Sequence, residues 1–221
     1  MKKFIAVIGS GDWGKNLVRN FFELNVLKTV CDINETNFDQ LKNKFPAKYT
    51  NSIKEVINDP DIKAVAIATP SETHFELAKM FLLSGRDVFV EKPLTLKLEE
   101  AIELVKISEE KNLILMVDHV LHYHPAVIKL KNLIRTEEIG EIKYIYSNRL
   151  NFGKFRKEEN ILWSFAPHDV SLILSIVDDM PNKILSIGKN YLFTNTVDKK
   201  QNSKILYDVT LTYLEFKNDI R

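Results

Sequence analysis

Gly9-Ser10-Gly11-Asp12-Trp13-Gly14 is the segment whose residue types and spacing most directly imply chemistry. Glycines in the pattern Gly-x-Gly-x-x-Gly permit a tight turn and let main-chain N–H groups approach a pyrophosphate at a helix N-terminus. Asp32 follows at about the 20-residue distance where a carboxylate accepts the adenosine ribose hydroxyls and repels a 2′-phosphate. Its neighbours Ile33 and Asn34 bring no arginine, so NAD is expected rather than NADP. Glu91-Lys92-Pro93 is the second such place: a lysine ammonium there can polarise a hydroxyl or carbonyl oxygen near a nicotinamide. Histidines at 119, 122, 124 and 168 complete the set, beside Tyr123. Their spacing matches no zinc pattern, and a single cysteine, Cys31, leaves neither a disulfide framework nor a cysteine zinc site, so no metal is expected.

The elements that must position these residues follow from the apolar periodicity. Phe4–Ile8 is a short continuous apolar run, as expected of a parallel strand buried on both faces. Trp13, Leu17, Phe21 and Leu24 then recur at helical spacing. Val26–Asp32 reads as a strand, Glu35–Phe45 as a helix stopped by Pro46, and Ser52-Ile53-Lys54-Glu55 as a capping box that opens a short helix. The strands Ala64–Ala68, Asp87–Val90 and Leu113–Val117 alternate with helices over about Thr73–Leu83 and around Leu98–Val105. Such βα units predict a parallel, doubly wound sheet in a domain over residues 1–120. Beyond it the grammar changes to α+β. A helix opens at His124-Pro125 and runs to Arg135, and another spans Asp169–Val177. Longer strand candidates are Lys143–Leu150, Ile184–Phe193 and Ile205–Phe216. A second, substrate-binding and oligomerisation domain over 121–221 is expected, with an open, mostly antiparallel sheet. The chain stops at what reads as a turn, so the expectation is a truncated domain or a sheet completed by another subunit.

Bulk composition excludes several classes. The chain has 221 residues, 45% of them hydrophobic, and a formal net charge of +1, which gives no field to draw nucleic acid or a membrane surface. Lys154-Phe155-Arg156-Lys157 is followed by Glu158-Glu159 and reads as a solvated mixed-charge loop or an anion site. The apolar run after Met1-Lys2-Lys3 ends at Gly9, too early for a signal peptide, and no stretch approaches a membrane span. A cytoplasmic protein is expected.

Gly9-Ser10-Gly11-Asp12-Trp13-Gly14-Lys15-Asn16, Ala68-Thr69-Pro70 with His74, and Glu91-Lys92-Pro93-Leu94 together resemble the Gfo/Idh/MocA oxidoreductases. The resemblance implies a Rossmann domain followed by an α/β substrate domain, and NAD-linked oxidation or reduction of ring hydroxyls of sugars and polyols. It implies that Lys92 is the active-site lysine. It places the whole glycine loop, Asp32, Ile33, Asn34, Ala68, Thr69, Pro70, His74, Glu91 and Lys92 at the cofactor. The family's second motif, Asp-x-x-x-His, corresponds to Ser164-Phe165-Ala166-Pro167-His168, so the histidine is kept and the aspartate is a serine. Pro167 fits a first helical position, which would put His168 in a first turn where the helix field keeps its ring neutral; Asp169 acts in the opposite sense. The run from Asn151 to Asp169 resembles the UDP-N-acetylglucosamine 3-dehydrogenase branch and related nucleotide-sugar 3-dehydrogenases. This implies substrate contacts from Lys92, His119, Tyr123, Arg156, Asn160 and His168, with Trp163 beside the nicotinamide or in the core. The implied reaction is oxidation of a ring hydroxyl, C3 of a UDP-linked amino sugar, to a ketone, with Lys92 and His168 as the catalytic pair. The alternatives are the same chemistry on a free polyol such as myo-inositol or an aldose, and a NAD-binding sensor or partner without turnover. A homo-oligomer through the C-terminal sheet is expected.

Overall fold

The computed structural model describes residues 4–150, 160–192, 207–217 and 220. The chain divides into two compact units, Met1–Asp118 and His119–Arg221.

Short apolar runs form the centre of the first unit. They are β1 (Ile5–Ile8), β2 (Leu27–Cys31), β3 (Lys48–Thr50), β4 (Ala64–Ile67), β5 (Asp87–Val90) and β6 (Leu115–Val117). All pair in parallel in the order β3-β2-β1-β4-β5-β6. The helices are α1 (Gly14–Glu23), α2 (Asp39–Lys42), α3 (Ile53–Asn58), α4 (His74–Leu83) and α5 (Leu98–Glu110). Alternate strand residues feed two separate cores. Ala6 and Ile8 of β1 pack in a cluster with Val56, Phe81 and Leu104, while Val7 packs on the other face with Leu17, Val18 and Phe38. Helices on both faces explain why the strand sequences carry no polar alternation. Strand order reverses between β1 and β4, and the crevice beyond their carboxyl ends is where such sheets bind ligands.

Two local expectations are corrected in this unit, and one strand was missed. Glu35–Phe45 is not one helix but a 3-10 turn, Glu35–Phe38, followed by the single turn of α2. Asn34 is the physical reason: its Oδ1 accepts from the Thr36 N–H at 3.2 Å and winds the chain tightly at the start. Ser52 does precede α3, but its side chain caps nothing, and Glu55 pairs with Lys48 at 2.7 Å instead of closing a capping box. β3 was not legible, because three residues beginning with lysine carry no periodicity.

The second unit contains a 3-10 turn (Val120–Tyr123), α6 (Pro125–Arg135), α7 (Ile161–Val177), β7 (Lys183–Lys189) and β8 (Val209–Glu215). β7 and β8 are antiparallel, with Leu185 opposite Tyr213 and Ile187 opposite Leu211. Lys143–Leu150, expected as a strand, lies in none. A ladder needs a partner strand, and a cleft of about 720 Å³ separates Ile145–Leu150 from β8. Arg149 and Ser147 use their side chains on Asp169 of α7. Phe193 and residues 205–206 of the other expected strands lie outside the described residues. No described helix is long and apolar enough to cross a membrane.

Candidate functional site

β1 ends on the glycine loop, and each glycine has a different physical duty. Gly9 has φ +86°, and a Cβ there would lie 2.8 Å from the Ala68 carbonyl carbon and oxygen at the end of β4. A Cβ on Gly14 would lie 2.1 Å from the Gly9 carbonyl oxygen, so the absent side chain lets α1 start against the strand. Beside Gly11 there is nothing within 4 Å, which leaves its main chain open to a ligand. Asp32, just past β2, is buried and held in place by this loop. Its Oδ2 accepts the Ser10 N–H at 2.6 Å, the Ser10 hydroxyl at 2.9 Å and the Asn37 amide at 3.0 Å. Its Oδ1 accepts the Asn34 N–H at 2.9 Å. Burial works against the carboxylate charge, but these hydrogen bonds outweigh it and hold the Asp32 pKa below the usual range. Oδ2 thus takes three donors while Oδ1 takes the Asn34 N–H, and Oδ1 is the oxygen better placed to accept a ribose hydroxyl. Open space at Gly11 and a charged, fixed carboxylate at the end of β2 are what a dinucleotide requires, and the residues fit NAD. Ile33 is 91% exposed at the rim. Asn37 is a further member that the sequence reading did not single out; it sits five residues after Asp32, in the turn that Asn34 winds.

β4 and β5 deliver the other motifs to the same edge of the sheet. Glu91 N–H donates to the Ile67 carbonyl at 2.9 Å and Asp118 N–H to the Val90 carbonyl at 2.8 Å, continuing the parallel ladder to the strand ends. Lys92-Pro93 follows with a cis peptide bond. Burial pushes the Glu91 carboxyl up to about 8. A hydrogen bond with Asp118 and that group's charge act in the same sense, against the Trp13 side chain and the Lys92 N–H. Trp13, half exposed, thereby joins the glycine loop to the lysine turn. Asp118 was missed as a site residue; its position directly after β6 was the available signal. Thr69 Oγ1 pairs with Thr73 Oγ1 at 2.7 Å, and Thr73 Oγ1 donates to the Pro70 carbonyl at 2.7 Å. His74, expected at the cofactor, is 1% exposed, with its ring nitrogens 2.8 and 2.9 Å from the Pro93 and Thr69 carbonyls. That corrects the expectation of cofactor contact: buried between two main-chain segments, the ring has almost no exposed surface for a cofactor to touch. Cys31 is a buried hydrophobe whose thiol burial pushes up to about 11.

In the second unit, Asn160 caps α7, its Oδ1 accepting the Trp163 N–H at 3.1 Å. The helix therefore begins at Ile161, and Pro167 is inside it rather than at its first position. This corrects the placement of His168, which lies in the third turn, beyond the reach of the helix-end field. Ser164 and His168 are four residues apart and share one face of α7. The 720 Å³ cleft is lined by Leu162, Phe165, Ala166, Asp169, Val170 and Ile173, which occupy the opposite face. Burial opposes the Asp169 charge, yet Arg149 at 2.8 Å and Ser147 at 2.8 Å lower its pKa below the usual range. His122 sits one turn along from His168, 2.6 Å from the Ser171 hydroxyl, with Lys131 Nζ 3.1 Å from its other nitrogen. Burial and the charges of Lys131 and His119 lower the His122 pKa, so the ring is neutral and accepts from the lysine. His124 caps α6 through its Nδ1, and Tyr123 is exposed. The His119 ring lies 5.9 Å from that of His122. Trp163 is half-buried, and Arg156 lies outside the described residues.

The likeness to known proteins is consistent along the chain. Residues 3–119 match the GFO_IDH_MocA family model, described as an oxidoreductase family with an NAD-binding Rossmann fold. UDP-N-acetylglucosamine 3-dehydrogenase of Acidithiobacillus ferrooxidans is 27% identical over 184 residues, 83% of this chain and 57% of that protein. Its crystal structure superposes with a TM-score of 0.84 at 24% identity, over 100% of this chain and 65% of that one. The NADP-linked scyllo-inositol 2-dehydrogenase IolW of Bacillus subtilis is 28% identical over 135 residues, 61% of this chain and 37% of that protein. GenD2 of gentamicin A biosynthesis, solved with NAD, superposes with a TM-score of 0.80 at 20% identity, over 99% of this chain and 64% of that one. The chain thus spans a little over half the length of the first curated relatives it matches.

Proposed function

The chain belongs to the Gfo/Idh/MocA family of NAD-binding oxidoreductases, and on that premise we propose that it oxidises a ring hydroxyl of a nucleotide-linked sugar, C3 of a UDP-linked amino sugar, to a ketone. One observation carries the reading. The glycine loop after β1, Thr69-Pro70 after β4 and Glu91-Lys92 after β5 all lie at the carboxyl ends of adjacent strands of one sheet, beside the switch point where a nicotinamide cofactor binds. NAD, when bound, supplies the acceptor for the hydrogen leaving the sugar carbon with its electron pair. Lys92 stabilises charge that develops on the oxygen and orients the sugar. His168 takes the hydroxyl proton as general base; Ser164 stands where the family's motif carries an aspartate. Asn160 and Trp163 open the same helix, and with His119, Tyr123 and Arg156 are the proposed substrate contacts. The likeness to UDP-N-acetylglucosamine 3-dehydrogenase across 83% of the chain supports the nucleotide-sugar branch.

A panel of UDP-sugars and free polyols, followed by NADH absorbance, tests this. A UDP-linked N-acetyl amino sugar is expected to reduce NAD, and Lys92→Ala to bind NADH without turnover. Activity retained by Lys92→Ala would overturn the assignment. The 28% identity to an inositol dehydrogenase favours a second reading, oxidation of a free polyol; reduction of NAD by myo-inositol alone would establish it.

The reading includes a cytoplasmic homo-oligomer formed through the C-terminal sheet. Leu185, Ile187 and Leu211 share one face of β7 and β8 and are 59%, 60% and 63% exposed, an apolar face that a second copy would cover. Light scattering of the wild type and of Ile187→Lys measures it: the variant is expected to be the smaller species.

A further inference from the structure

His74 is the first residue of α4 and is 1% exposed. Its Nδ1 lies 2.8 Å from the Pro93 carbonyl oxygen and its Nε2 2.9 Å from the Thr69 carbonyl oxygen. Both partners are main-chain carbonyls, which only accept. Either tautomer donates to one of these oxygens and sets its other nitrogen against the second, so the imidazole fills the gap between the two segments at hydrogen-bond distance from both.

The two carbonyls belong to the segments that carry the site. Thr69 ends the β4 motif, and Pro93 is bonded directly to Lys92. We propose that His74 is a positioning residue for Lys92: its buried ring bridges the β4 and β5 loops and fixes the turn that aims the lysine. Thr73 reinforces the same loop from the other side, since its hydroxyl binds Thr69 Oγ1 and the Pro70 carbonyl at 2.7 Å each. The inference rests on the proposed role of Lys92 and deepens it.

The environment of Lys92 and turnover, both read on the full chain, test it. Reductive ¹³C-methylation reports the environment of Lys92, assigned with Lys92→Arg. In His74→Phe and His74→Gln the methylated Lys92 signal is expected to move toward the solvent-exposed lysine position, less in Gln, whose amide rescues one arm. Turnover is expected to fall about tenfold to a hundredfold in the Phe variant, the range for small misplacements of a reacting group, while NADH affinity changes less than turnover. A variant that loses thermal stability but leaves the Lys92 signal unmoved makes His74 merely structural and overturns the proposal. A moved signal with an active Lys92→Ala leaves the positioning intact and removes the catalytic role of the lysine, so the two failures are distinct.

Discussion

Ser10 donates both its main-chain N–H and its hydroxyl to one oxygen of Asp32, Oδ2, at 2.6 and 2.9 Å. The glycine loop and the end of β2 are thereby one object, and the carboxylate proposed to select the cofactor is fixed before any ligand arrives. Preorganisation of this kind removes ordering that binding would otherwise have to supply.

Asp32→Asn keeps the shape but lacks the charge and presents its own donors to Ser10. NAD affinity should fall about tenfold, close to 1.4 kcal/mol, and discrimination against NADP should shrink, both measurable by titration of NADH and NADPH fluorescence. Because the Asp32 pKa is depressed in the folded chain, its stabilisation is full above the ordinary aspartate pKa of about 3.9 and is lost as pH falls through the lower folded value. Acid unfolding of the variant should accordingly be shallower than that of the wild type. Unchanged NADP discrimination would contradict the role given to Asp32.

Gly11→Ala and Gly14→Ala separate ligand space from folding space. No atom lies within 4 Å of a Cβ at Gly11, so that variant should melt at the wild-type temperature while binding NADH at least about tenfold more weakly. A Cβ at Gly14 meets the Gly9 main chain, and no side-chain rotation relieves it. Gly14→Ala should lose both melting temperature and cofactor binding. Equal melting temperatures for the two variants would contradict this division.

Glu91 should make the fold less stable as pH rises. With its pKa pushed up to about 8, the folded pair of Glu91 and Asp118 keeps a proton that the unfolded chain releases above about pH 4.3. Folded protein then binds more protons across that window, so stability declines between roughly pH 4 and 8. Glu91→Gln stays neutral throughout. Its melting curve should be flatter with pH and should exceed the wild type at pH 9, by about 2–4 °C for each kcal/mol recovered. Parallel curves for the two proteins would show that no proton is shared there.

Asn160→Ala should destabilise the second unit by about 1 kcal/mol, the usual effect of removing an N-cap, while Asn160→Asp should be neutral because its carboxylate caps equally well. Thermal unfolding followed by circular dichroism reads both. If alanine has no effect on stability, α7 does not depend on this cap, and the later helix start at Pro167 regains its support.

The first unit was legible to a degree that the second was not. Phe4–Ile8, Ala64–Ala68 and Asp87–Val90 are buried on both faces, so hydrophobicity alone marks them, and glycine spacing marks the turn between β1 and α1. Lys143–Leu150 has equally good strand character but pairs with no described strand, because pairing depends on a partner far away in sequence. Pro167 misled for a related reason. Proline at a first helical position is the common case, yet Asn160 captures the Trp163 N–H and starts the helix earlier.

By itself, then, the sequence determined the βα alternation of the first unit apart from β3, the glycine loop with Asp32 after β2, and the presence of Lys92 at the end of a strand. Those features are local, set by side-chain size, missing side chains and spacing of a few residues. The tertiary structure alone decided which groups share protons and carbonyls: Glu91 with Asp118 and Trp13, His74 with Thr69 and Pro93, His122 with Lys131 and Ser171. His74 and Pro93 are 19 positions apart and His122 and Ser171 are 49 apart, and only folding brings their atoms within hydrogen-bond reach; burial and nearby charge then set the protonation of Glu91 and His122.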